Sequence, residues 1–508
     1  MQPRLLFLPF AKDYTTLNNN LTHTRILLTD IIVDAIKKRL TFEPTADQEH
    51  AIVAIARLVT SEKFCPTLIV NGFAGTGKTS LMRATCDGLQ MCGMEMVLMA
   101  PTGRAAKVLA NTTGRKVQTI HRTIFRQHSS TDSQNFDIGY NNHTHTLFIV
   151  DEGSLIGNDM SINNNGPSWG EGRLLSDLIR YVFSADDNRL IIIGDPDQLP
   201  PIGQIEAPAL SPDYLRDLGL TVGRCWLREV VRQQNEGLIV RNATAIRQEI
   251  DSIEGRLPIL KGAECGEVEI ISGENLMEKI EGAYNTYGTS NTMVVTRSNK
   301  QATRISMALR TQVMYVEEVI TRGDLLMVMR NNYMWTSKTK DIDFIANGDI
   351  VEVVSVGRHI SVYDLNFVEA SVRLIENGGV DIDCYILTDM LTADMPNFKS
   401  SAEIFDNLQK GVEADYGHTS NARKRIEEMR KDVFLNALQA RYAYATTCHK
   451  AQGGQWKAVF VDASLIGTTE TTATTKETLR WLYTAMTRAT EKLYVVNYMP
   501  NMQKSEDI

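Results

Sequence analysis

The sequence predicts an α/β protein with two parallel-sheet domains and a small β-rich insert in the second. Between about residues 40 and 200, short apolar runs that end in Gly, Asp or Pro alternate with longer helical stretches, as in TLIVNG, MVLMAPTG, TLFIVDEGS and RLIIIGDPDQ. Such runs are typical of buried parallel strands, and the helices between them complete βαβ units. A second set of apolar runs, MVVTRSNK, KAVFVDAS and KLYVVNY, begins at residue 293 and predicts the second domain.

The segment 346–440 interrupts the second set and has a different pattern. Residues 368–374 alternate between apolar and polar, and the same alternation returns over 380–386 after an Asn-Gly-Gly sequence. Alternation on both sides of a turn sequence predicts an antiparallel hairpin in a β-rich insert. The charged segment 421–440 is predicted to be helical with a solvated face, although its basic residues could instead contact phosphates.

The length and composition indicate the number and class of domains. A chain of 508 residues is long enough for about three domains of roughly 150 residues each. We predict a first domain over 1–205 with a short insertion at about 126–146, a second domain over 206–345 and 441–508, and the insert over 346–440. No apolar run approaches the roughly 18 residues that a membrane span requires, and no secretory signal is evident, so we expect a cytoplasmic protein.

The charge and the cysteines argue against several kinds of site. The net charge is −8, which disfavours a polyanion partner, so any nucleic-acid surface must be a local basic groove. The seven cysteines are scattered and form no C-x-x-C pair, which argues against a zinc site, a disulfide framework and an iron–sulfur cluster.

The segment NGFAGTGKTS carries the pattern Gly72-x-x-x-x-Gly77-Lys78-Thr79 between an apolar run and a helical stretch. Strand, glycine loop and helix in this order predict a loop that binds phosphates. The glycines let backbone N–H groups surround the phosphates, and the helix N-terminus adds partial positive charge. Lys78 is predicted to bridge the β- and γ-phosphates of ATP, and Thr79 to hold Mg²⁺. The other predicted nucleotide-binding residues of this loop are Gly75, Thr76 and Ser80.

Two further strand ends carry polar residues that suit hydrolysis. Asp151 and Glu152 follow the apolar run LFIV. Asp151 suits the Mg²⁺ shell, and Glu152 suits a general base for the attacking water. Gln198 follows the run RLIII, where a motor ATPase would carry its γ-phosphate sensor. Adjacent carboxylates at a strand end are common, so this pair is informative only because it follows a phosphate-binding loop.

The order of these motifs over about residues 42 to 498 resembles the superfamily 1 helicases of the RecD and Dda type, superfamily 1B. The resemblance implies two RecA-like P-loop NTPase domains, with a small β-barrel of the Src-homology-3 type entered near NGDIVEVVSV at 347–356. It also implies an ATP-dependent DNA helicase that uses ATP and Mg²⁺ and moves 5′ to 3′ on single-stranded DNA, in DNA repair, recombination or replication. The implied partners are single-stranded DNA, junctions of single- and double-stranded DNA, and DNA-repair or nuclease proteins.

The resemblance assigns nucleotide contacts beyond the phosphate-binding loop. PTADQEHA resembles the family's adenine-reading segment, so Gln48 would contact the base through its amide. LREVVRQ places Arg232 where the family has an arginine that reaches the γ-phosphate, and LYTAMTRA makes Arg488 the arginine finger. TTCHKAQGGQW resembles the family's motif V, in which Gly454 is assigned to the nucleotide.

Four segments resemble the family's nucleic-acid contacts: APTGRAAKVL, TIHRTIF, VVTRSNKQA and the TTCHKAQ part of motif V. Backbone phosphates are the expected targets, so binding would be weakly sequence-selective and strongly salt-dependent. The residues that the resemblance implies are Thr102, Gly103, Arg104, Lys107, His121, Asn299, Thr447, His449 and Lys450.

Three alternatives stay open at this point. An RNA-directed superfamily 1 helicase would make the same backbone contacts, because readers of the 2′-hydroxyl cannot be identified from these residues. A RecD-like motor subunit would be active only within a nuclease complex, and a nucleotide-operated switch would not translocate at all.

The sequence departs from the family pattern at two places. Residues 126–146 are short for a strand-separating pin, and Gly153 stands where the family more commonly has Ala.

Overall fold

The computed structural model describes most of the chain. The described residues are 14–129, 132–160, 168–229, 237–252, 256–262, 266–336, 344–375, 379–419, 421–464, 466 and 475–499.

The first α/β unit contains a six-stranded parallel sheet with helices on both faces. Its strands are β1 (Pro66–Gly72), β2 (Glu95–Ala100), β3 (Val117–Thr119), β4 (Phe125–Ser129), β5 (Asp132–Ile138), β6 (Thr146–Val150), β7 (Ser168–Trp169), β8 (Arg189–Gly194) and β9 (Thr221–Leu227). Its helices are α1 (Tyr14–Lys37), α2 (Ala46–Val59), α3 (Lys78–Met91), α4 (Gly103–Thr113), α5 (Ile120–Ile124), α6 (Leu174–Val182) and α7 (Pro212–Asp217). The sheet order is β3-β2-β6-β8-β1-β9, while β4, β5 and β7 form a small separate sheet.

The central strands of this sheet are buried on both faces, as their continuous apolar runs predict. Leu68 and Val70 of β1 pack into a core with the helices α1, α2 and α3. Ile69, between them, packs on the opposite face with α5 and α6. The predicted βαβ strands TLIVNG, MVLMA, TLFIV and RLIIIG are therefore confirmed as neighbouring parallel strands of one sheet.

The second α/β unit and the insert contain two five-stranded sheets. Their strands are β10 (Val268–Ile271), β11 (Thr292–Thr296), β12 (Leu325–Val328), β13 (Ile350–Val362), β14 (Leu365–Leu374), β15 (Val380–Leu387), β16 (Ala440–Tyr442), β17 (Ala445–Thr447), β18 (Trp456–Asp462) and β19 (Ala489–Val496). Their helices are α8 (Leu238–Ile250), α9 (Leu276–Tyr287), α10 (Asn299–Gln312), α11 (Ser401–Asp415), α12 (Ala422–Arg430), α13 (Cys448–Ala451) and α14 (Lys476–Met486). The order β10-β19-β18-β11-β17 forms the parallel sheet of the second unit, so the prediction of two α/β units with parallel sheets is confirmed.

The insert is an antiparallel sheet in the order β15-β14-β13-β12-β16. The predicted hairpin is confirmed, because Val368 pairs with Ile386 and Val372 pairs with Ile382. The Asn377-Gly378 part of its turn lies outside the described residues. Closure of this sheet into a barrel of the Src-homology-3 type stays a prediction.

Strand membership differs from the predicted boundaries at two places. Strand β9 pairs with β1 of the first sheet although it lies beyond residue 205, and β12 belongs to the antiparallel sheet although it precedes residue 346. The reason is that the partners of a strand lie far along the chain, so a local pattern does not reveal which sheet the strand joins. The division of the chain into domains stays a prediction.

The charged segment 421–440 is helical only over Ala422–Arg430, the helix α12, so the helix prediction is confirmed there. It is wrong for residues 431–439, which form turns that lead into β16. The lysines of the segment pair with glutamates on the same helical face: Lys424 with Glu428 at 3.8 Å and Lys431 with Glu427 at 2.8 Å. These i,i+4 pairs are typical of a solvated helix. Among the described residues, no helix has the length and apolar character needed to cross a bilayer.

A buried ion pair connects the second unit to the insert. The guanidinium of Arg310 on α10 donates two hydrogen bonds to the carboxylate of Asp324, at 2.9 and 2.8 Å. Both side chains are buried, and the Tyr444 hydroxyl donates to the same carboxylate at 2.9 Å. Because Asp324 directly precedes β12, this pair fixes where the antiparallel sheet begins.

We predict that Arg310→Leu lowers the free energy of unfolding by about 3 to 5 kcal/mol, because it leaves a buried carboxylate unpaired. Arg304→Leu is the matched control, since Arg304 lies on the same helix but is exposed, and it should change stability by less than about 0.5 kcal/mol. Urea unfolding followed by tryptophan fluorescence measures both. Equal losses in the two variants would contradict a structural role for the pair.

Candidate nucleotide and nucleic-acid sites

The phosphate-binding loop joins the end of β1 to the start of α3. Gly75 and Gly77 have φ angles of 80° and 79°, which favour glycine. The ammonium of Lys78 donates to the carbonyl oxygens of Gly72 and Phe73, at 2.5 and 2.8 Å. A Cβ at Gly72 would lie only 2.9 Å from Cγ of Lys78, so the loop folds tightly around the lysine. This strand-loop-helix geometry leaves the N–H groups at the start of α3 available to an anion.

Gln48 lies beneath this loop and is fully buried. Its amide nitrogen donates to the carbonyl of Thr76 at 3.1 Å, while its amide oxygen accepts from the N–H of Thr45 at 3.1 Å. The second bond belongs to a capping box that begins α2. In this arrangement Gln48 connects the start of α2 to the phosphate-binding loop. Its predicted contact with adenine stays a prediction.

Thr79 and Ser80, in the first turn of α3, are more accessible than Thr76 in the loop before it. Thr76 is buried, and its hydroxyl donates to the carbonyl of Phe73 at 2.8 Å. Thr79 is half-buried and Ser80 is exposed on the first turn of the helix. Thr79 can therefore present its hydroxyl oxygen to a cation, while Thr76 holds the shape of the loop.

The paired carboxylates follow β6, two strands away from β1 in the sheet. The N–H of Glu152 donates to the carboxylate of Asp151 at 2.9 Å. Burial, together with the neighbouring charge of Glu152, raises the pKa of Asp151 to about 6, although the N–H of Glu152 and the charge of Lys78 act in the opposite direction. Because β6, β8 and β1 are parallel neighbours in one sheet, the carboxylates lie at the same edge as the phosphate-binding loop.

Gln198 lies in the loop that follows β8, and β8 lies between β6 and β1 in the sheet. The side chain is buried, and its amide oxygen has no hydrogen-bond partner among the described residues. A buried amide oxygen without a partner retains a hydrogen-bonding capacity that a ligand can use. That oxygen can accept from a water molecule, whereas a contact with the γ-phosphate would have to come from the amide nitrogen. The role of γ-phosphate sensor stays a prediction.

Arg488 reaches this group of residues from the second unit. Its guanidinium lies 3.9 Å from the carboxylate of Glu152 and 3.3 Å from the carbonyl oxygen of Gly454. It also donates to the carbonyl of Thr484 at 3.0 Å, and the side chain is almost fully buried. The structure thus brings an arginine of one unit to the carboxylates of the other. Arg232, the second arginine predicted here, lies outside the described residues.

The predicted nucleic-acid segments of the two units also meet. Thr102 caps the N-terminus of α4 by accepting from the N–H of Ala105 at 3.2 Å. A Cβ at Gly453 would lie 2.7 Å from the Cβ of Ala105, so a glycine is needed for this close approach. The guanidinium of Arg104 lies 4.0 Å from the centre of the Trp456 ring. The start of α4, with Gly103 as its first residue, therefore packs on motif V.

Lys107 and His121 lie apart from that contact. The ammonium of Lys107 donates to the carbonyl of Ile375, at the end of β14, at 2.8 Å. His121 is half-buried on α5, and burial lowers its pKa to about 4. His121 is therefore neutral at physiological pH and would contact a phosphate only as a neutral hydrogen-bond donor.

The remaining predicted contacts share one edge of the second sheet. Thr447 ends β17 and pairs with Thr296 of β11, which leads directly to Asn299, the exposed first residue of α10. Burial lowers the pKa of His449, while Glu477 acts in the opposite direction. Burial, with a contribution from the charge of Arg441, lowers the pKa of Lys450 to about 8.

Several residues of the site were not predicted from the sequence. Tyr483 and Thr484 of α14 bind the loops of the first unit that contain Ala74, Asp195 and Leu199. Polar residues within the otherwise apolar WLYTAM segment of a buried helix are the signal that could have identified them.

Two family comparisons match the two units. Residues 56–204 match the AAA domain family, and residues 442–496 match the UvrD-like helicase C-terminal domain family. Both matches include the motif segments described above: the phosphate-binding loop and the carboxylates in the first, and motif V and Arg488 in the second.

Individual proteins are similar over different lengths. The chain is 33% identical over 141 residues to the ATP-dependent RecD2 DNA helicase of Deinococcus radiodurans, which is 27% of this chain and 16% of RecD2. It is 22% identical over 442 residues to the ATP-dependent DNA helicase dda of Enterobacteria phage T4, which is 82% of this chain and 91% of that protein. A crystal structure of Bacteroides Pif1 with ADP-AlF3 and single-stranded DNA is 15% identical over 90% of this chain and 93% of that one, with a TM-score of 0.40. The predicted similarity to RecD- and Dda-type proteins is confirmed.

Proposed function

We propose that this chain is an ATP-dependent DNA helicase that moves 5′ to 3′ on single-stranded DNA. The observation that carries the proposal is the position of Arg488, which extends from the second unit to Glu152 beside the phosphate-binding loop of the first. The relatives described above as ATP-dependent DNA helicases support the choice of DNA and of ATP. The proposal places the protein in the cytoplasm, at junctions of single- and double-stranded DNA, in repair, recombination or replication, with repair or nuclease proteins as candidate partners.

The nucleotide would lie between the two units. Lys78 and the N–H groups of α3 would bind the phosphates, and the amide nitrogen of Gln198 would donate to the γ-phosphate, while its unpaired amide oxygen would accept from the attacking water. Thr79 and Asp151 offer the hydroxyl and carboxylate oxygens that Mg²⁺ prefers, and a bound Mg²⁺ would neutralise phosphate charge. Its presence would also favour the ionised form of Asp151, whose pKa burial raises.

Hydrolysis would use groups from both units. Glu152 would accept a proton from the attacking water, and its ion pair with Arg488 orients the two side chains toward each other. The guanidinium of Arg488 would stabilise the negative charge of the transferring phosphoryl group. Because the groups lie on different units, turnover requires the cleft to be closed, and closure couples hydrolysis to movement between the units.

The DNA strand would bind across both units. The start of α4 and motif V lie together, and the edge that carries Thr447 and Asn299 belongs to the second unit. Contacts from each unit to one strand would shift relative to each other as the cleft opens and closes. Phosphate contacts would make binding weakly selective for sequence.

The proposal is tested by unwinding of duplexes that carry only a 5′ tail or only a 3′ tail, in the presence of ATP and Mg²⁺. We expect unwinding of the 5′-tailed duplex alone, and Lys78→Ala should abolish it while single-strand binding persists. Unwinding of the 3′-tailed duplex alone would contradict the polarity. Failure to unwind either duplex would contradict the helicase assignment, and preference for a matched RNA strand would favour an RNA-directed enzyme.

A second prediction concerns Arg488. Arg488→Ala should lower the turnover number of ATP hydrolysis about a thousandfold, because an arginine finger contributes about that much to the rate. The KM for ATP should change by less than about threefold, since the phosphate-binding loop is intact. Lys476→Ala, an exposed change on α14, is the control and should retain turnover. Near wild-type turnover in Arg488→Ala would contradict a site shared between the units.

A third prediction concerns the pH dependence of DNA binding. Lys450 has a pKa of about 8 in the free protein, and a phosphate contact would raise it in the complex. Binding would then take up a proton, so affinity is full below pH 8 and falls above it by up to about tenfold per pH unit. Fluorescence anisotropy of a labelled oligonucleotide between pH 7 and 9.5 measures this.

The matched variant is Lys450→Arg, whose guanidinium stays charged over that range. Its affinity should depend only weakly on pH. Parallel pH profiles of the wild-type protein and Lys450→Arg would show that Lys450 does not contact a phosphate.

A further inference from the structure

The helix α14 of the second unit binds two loops of the first unit through one buried side chain. The hydroxyl of Tyr483 accepts a hydrogen bond from the N–H of Ala74 at 2.9 Å and donates one to the carboxylate of Asp195 at 2.5 Å. Ala74 belongs to the phosphate-binding loop, and Asp195 begins the loop that contains Gln198. Tyr483 and Asp195 are both about 1% exposed, so water does not compete for either bond.

The neighbouring residue of α14 binds the far side of the Gln198 loop. The N–H of Leu199 donates to the hydroxyl of Thr484 at 2.9 Å, and the carbonyl of Leu199 accepts from the amide of Gln452 at 2.8 Å. The Leu199 side chain belongs to the hydrophobic core of the second unit, although its backbone belongs to the first. Both sides of Gln198 are thus held by the second unit.

The phosphate-binding loop has a second contact across the same boundary. The guanidinium of Arg247 on α8 lies 3.8 Å from the centre of the Phe73 ring, a distance typical of a cation–π interaction. Arg247 also lies 4.0 Å from the carboxylate of Asp197 in the Gln198 loop. Phe73 and Ala74 are therefore both held from the second unit, one by α8 and the other by α14.

We propose that, through these contacts, α14 couples the conformation of the phosphate-binding loop and of the Gln198 loop to the position of the arginine finger, Arg488. We call the set of bonds from Tyr483 to Ala74 and Asp195, and from Thr484 to Leu199, the α14 contact. Arg488 lies one turn beyond Tyr483, and its guanidinium donates to the carbonyl of Thr484. A shift of either loop would therefore move α14 and, through the carbonyl of Thr484, the guanidinium of Arg488.

This inference rests on the proposed function and adds Tyr483 as a positioning residue. Tyr483 binds backbone and carboxylate groups of the protein, and its effect on hydrolysis passes through Arg488 and Gln198. Its loss should therefore lower the turnover that single-stranded DNA stimulates and leave the KM for ATP nearly unchanged.

The test is Tyr483→Phe, which removes the hydroxyl and keeps the ring. Tyr284→Phe is the matched control, because the hydroxyl of Tyr284 is buried and has no hydrogen-bond partner among the described residues. Hydrogen exchange of the peptide that spans residues 72–79, followed by mass spectrometry, reports on the contact directly. ATP hydrolysis with and without a single-stranded oligonucleotide reports on coupling, and the melting temperature checks that each variant is folded.

We expect Tyr483→Phe to speed exchange in residues 72–79 about tenfold, because the Ala74 N–H loses its partner. DNA-stimulated turnover should fall about tenfold while the KM for ATP changes less than about threefold. Tyr284→Phe should match the wild-type protein in both assays. This combination of results supports the proposal.

Three results would overturn it. Unchanged exchange in Tyr483→Phe would mean that the α14 contact does not hold the loop, and faster exchange with wild-type DNA-stimulated turnover would mean that the contact does not couple. The third result is that the wild-type protein itself shows no stimulation by DNA, in which case the proposed function fails. Coupling then has no role to serve, so that result overturns the inference too, and the exchange data still decide whether the contact exists.

Discussion

Both α/β sheets are parallel, so the carboxyl ends of the strands in each sheet meet at one edge, and the residues that follow those strands depend on this constraint for their position. Strands β1, β6 and β8 are neighbours in the first sheet, which brings Lys78, Asp151 and Gln198 to the same edge although they are far apart in sequence. The edge of the second sheet carries Thr447 and Asn299. Neither edge holds a complete site by itself, since Arg488 approaches Glu152 from the opposite unit.

Features set by local sequence were predictable. Apolar runs predicted the buried strands because a parallel strand covered on both faces has no polar side, and alternation predicted the β14–β15 hairpin because that sheet has two different faces. The phosphate-binding loop was predictable because its glycines have to adopt positive φ angles. Gly153, by contrast, is explained by packing against another strand, because a Cβ there would lie 2.6 Å from Cγ2 of Ile192.

Features set by packing between distant segments were not predictable. Gln48 was assigned to adenine because of its motif, yet its amide is engaged by Thr45 and Thr76. Lys107 was assigned to DNA, yet its ammonium donates to a carbonyl of the insert. Tyr483 was not predicted, because the sequence around a tyrosine in a buried helix does not indicate which groups its hydroxyl will bind. Such contacts depend on which surfaces meet, and that information is distributed over the whole chain.

The central claim is that a nucleotide is bound by groups from both units. If DNA spans both units as proposed, it should change the rate of chemistry in the cleft. The most direct measurement is the rate of phosphate release from ATP by the purified protein, with and without a single-stranded oligonucleotide. The account predicts a faster rate with the oligonucleotide, with the stimulation weakening as salt is raised. Equal rates in the two conditions at low salt would contradict it.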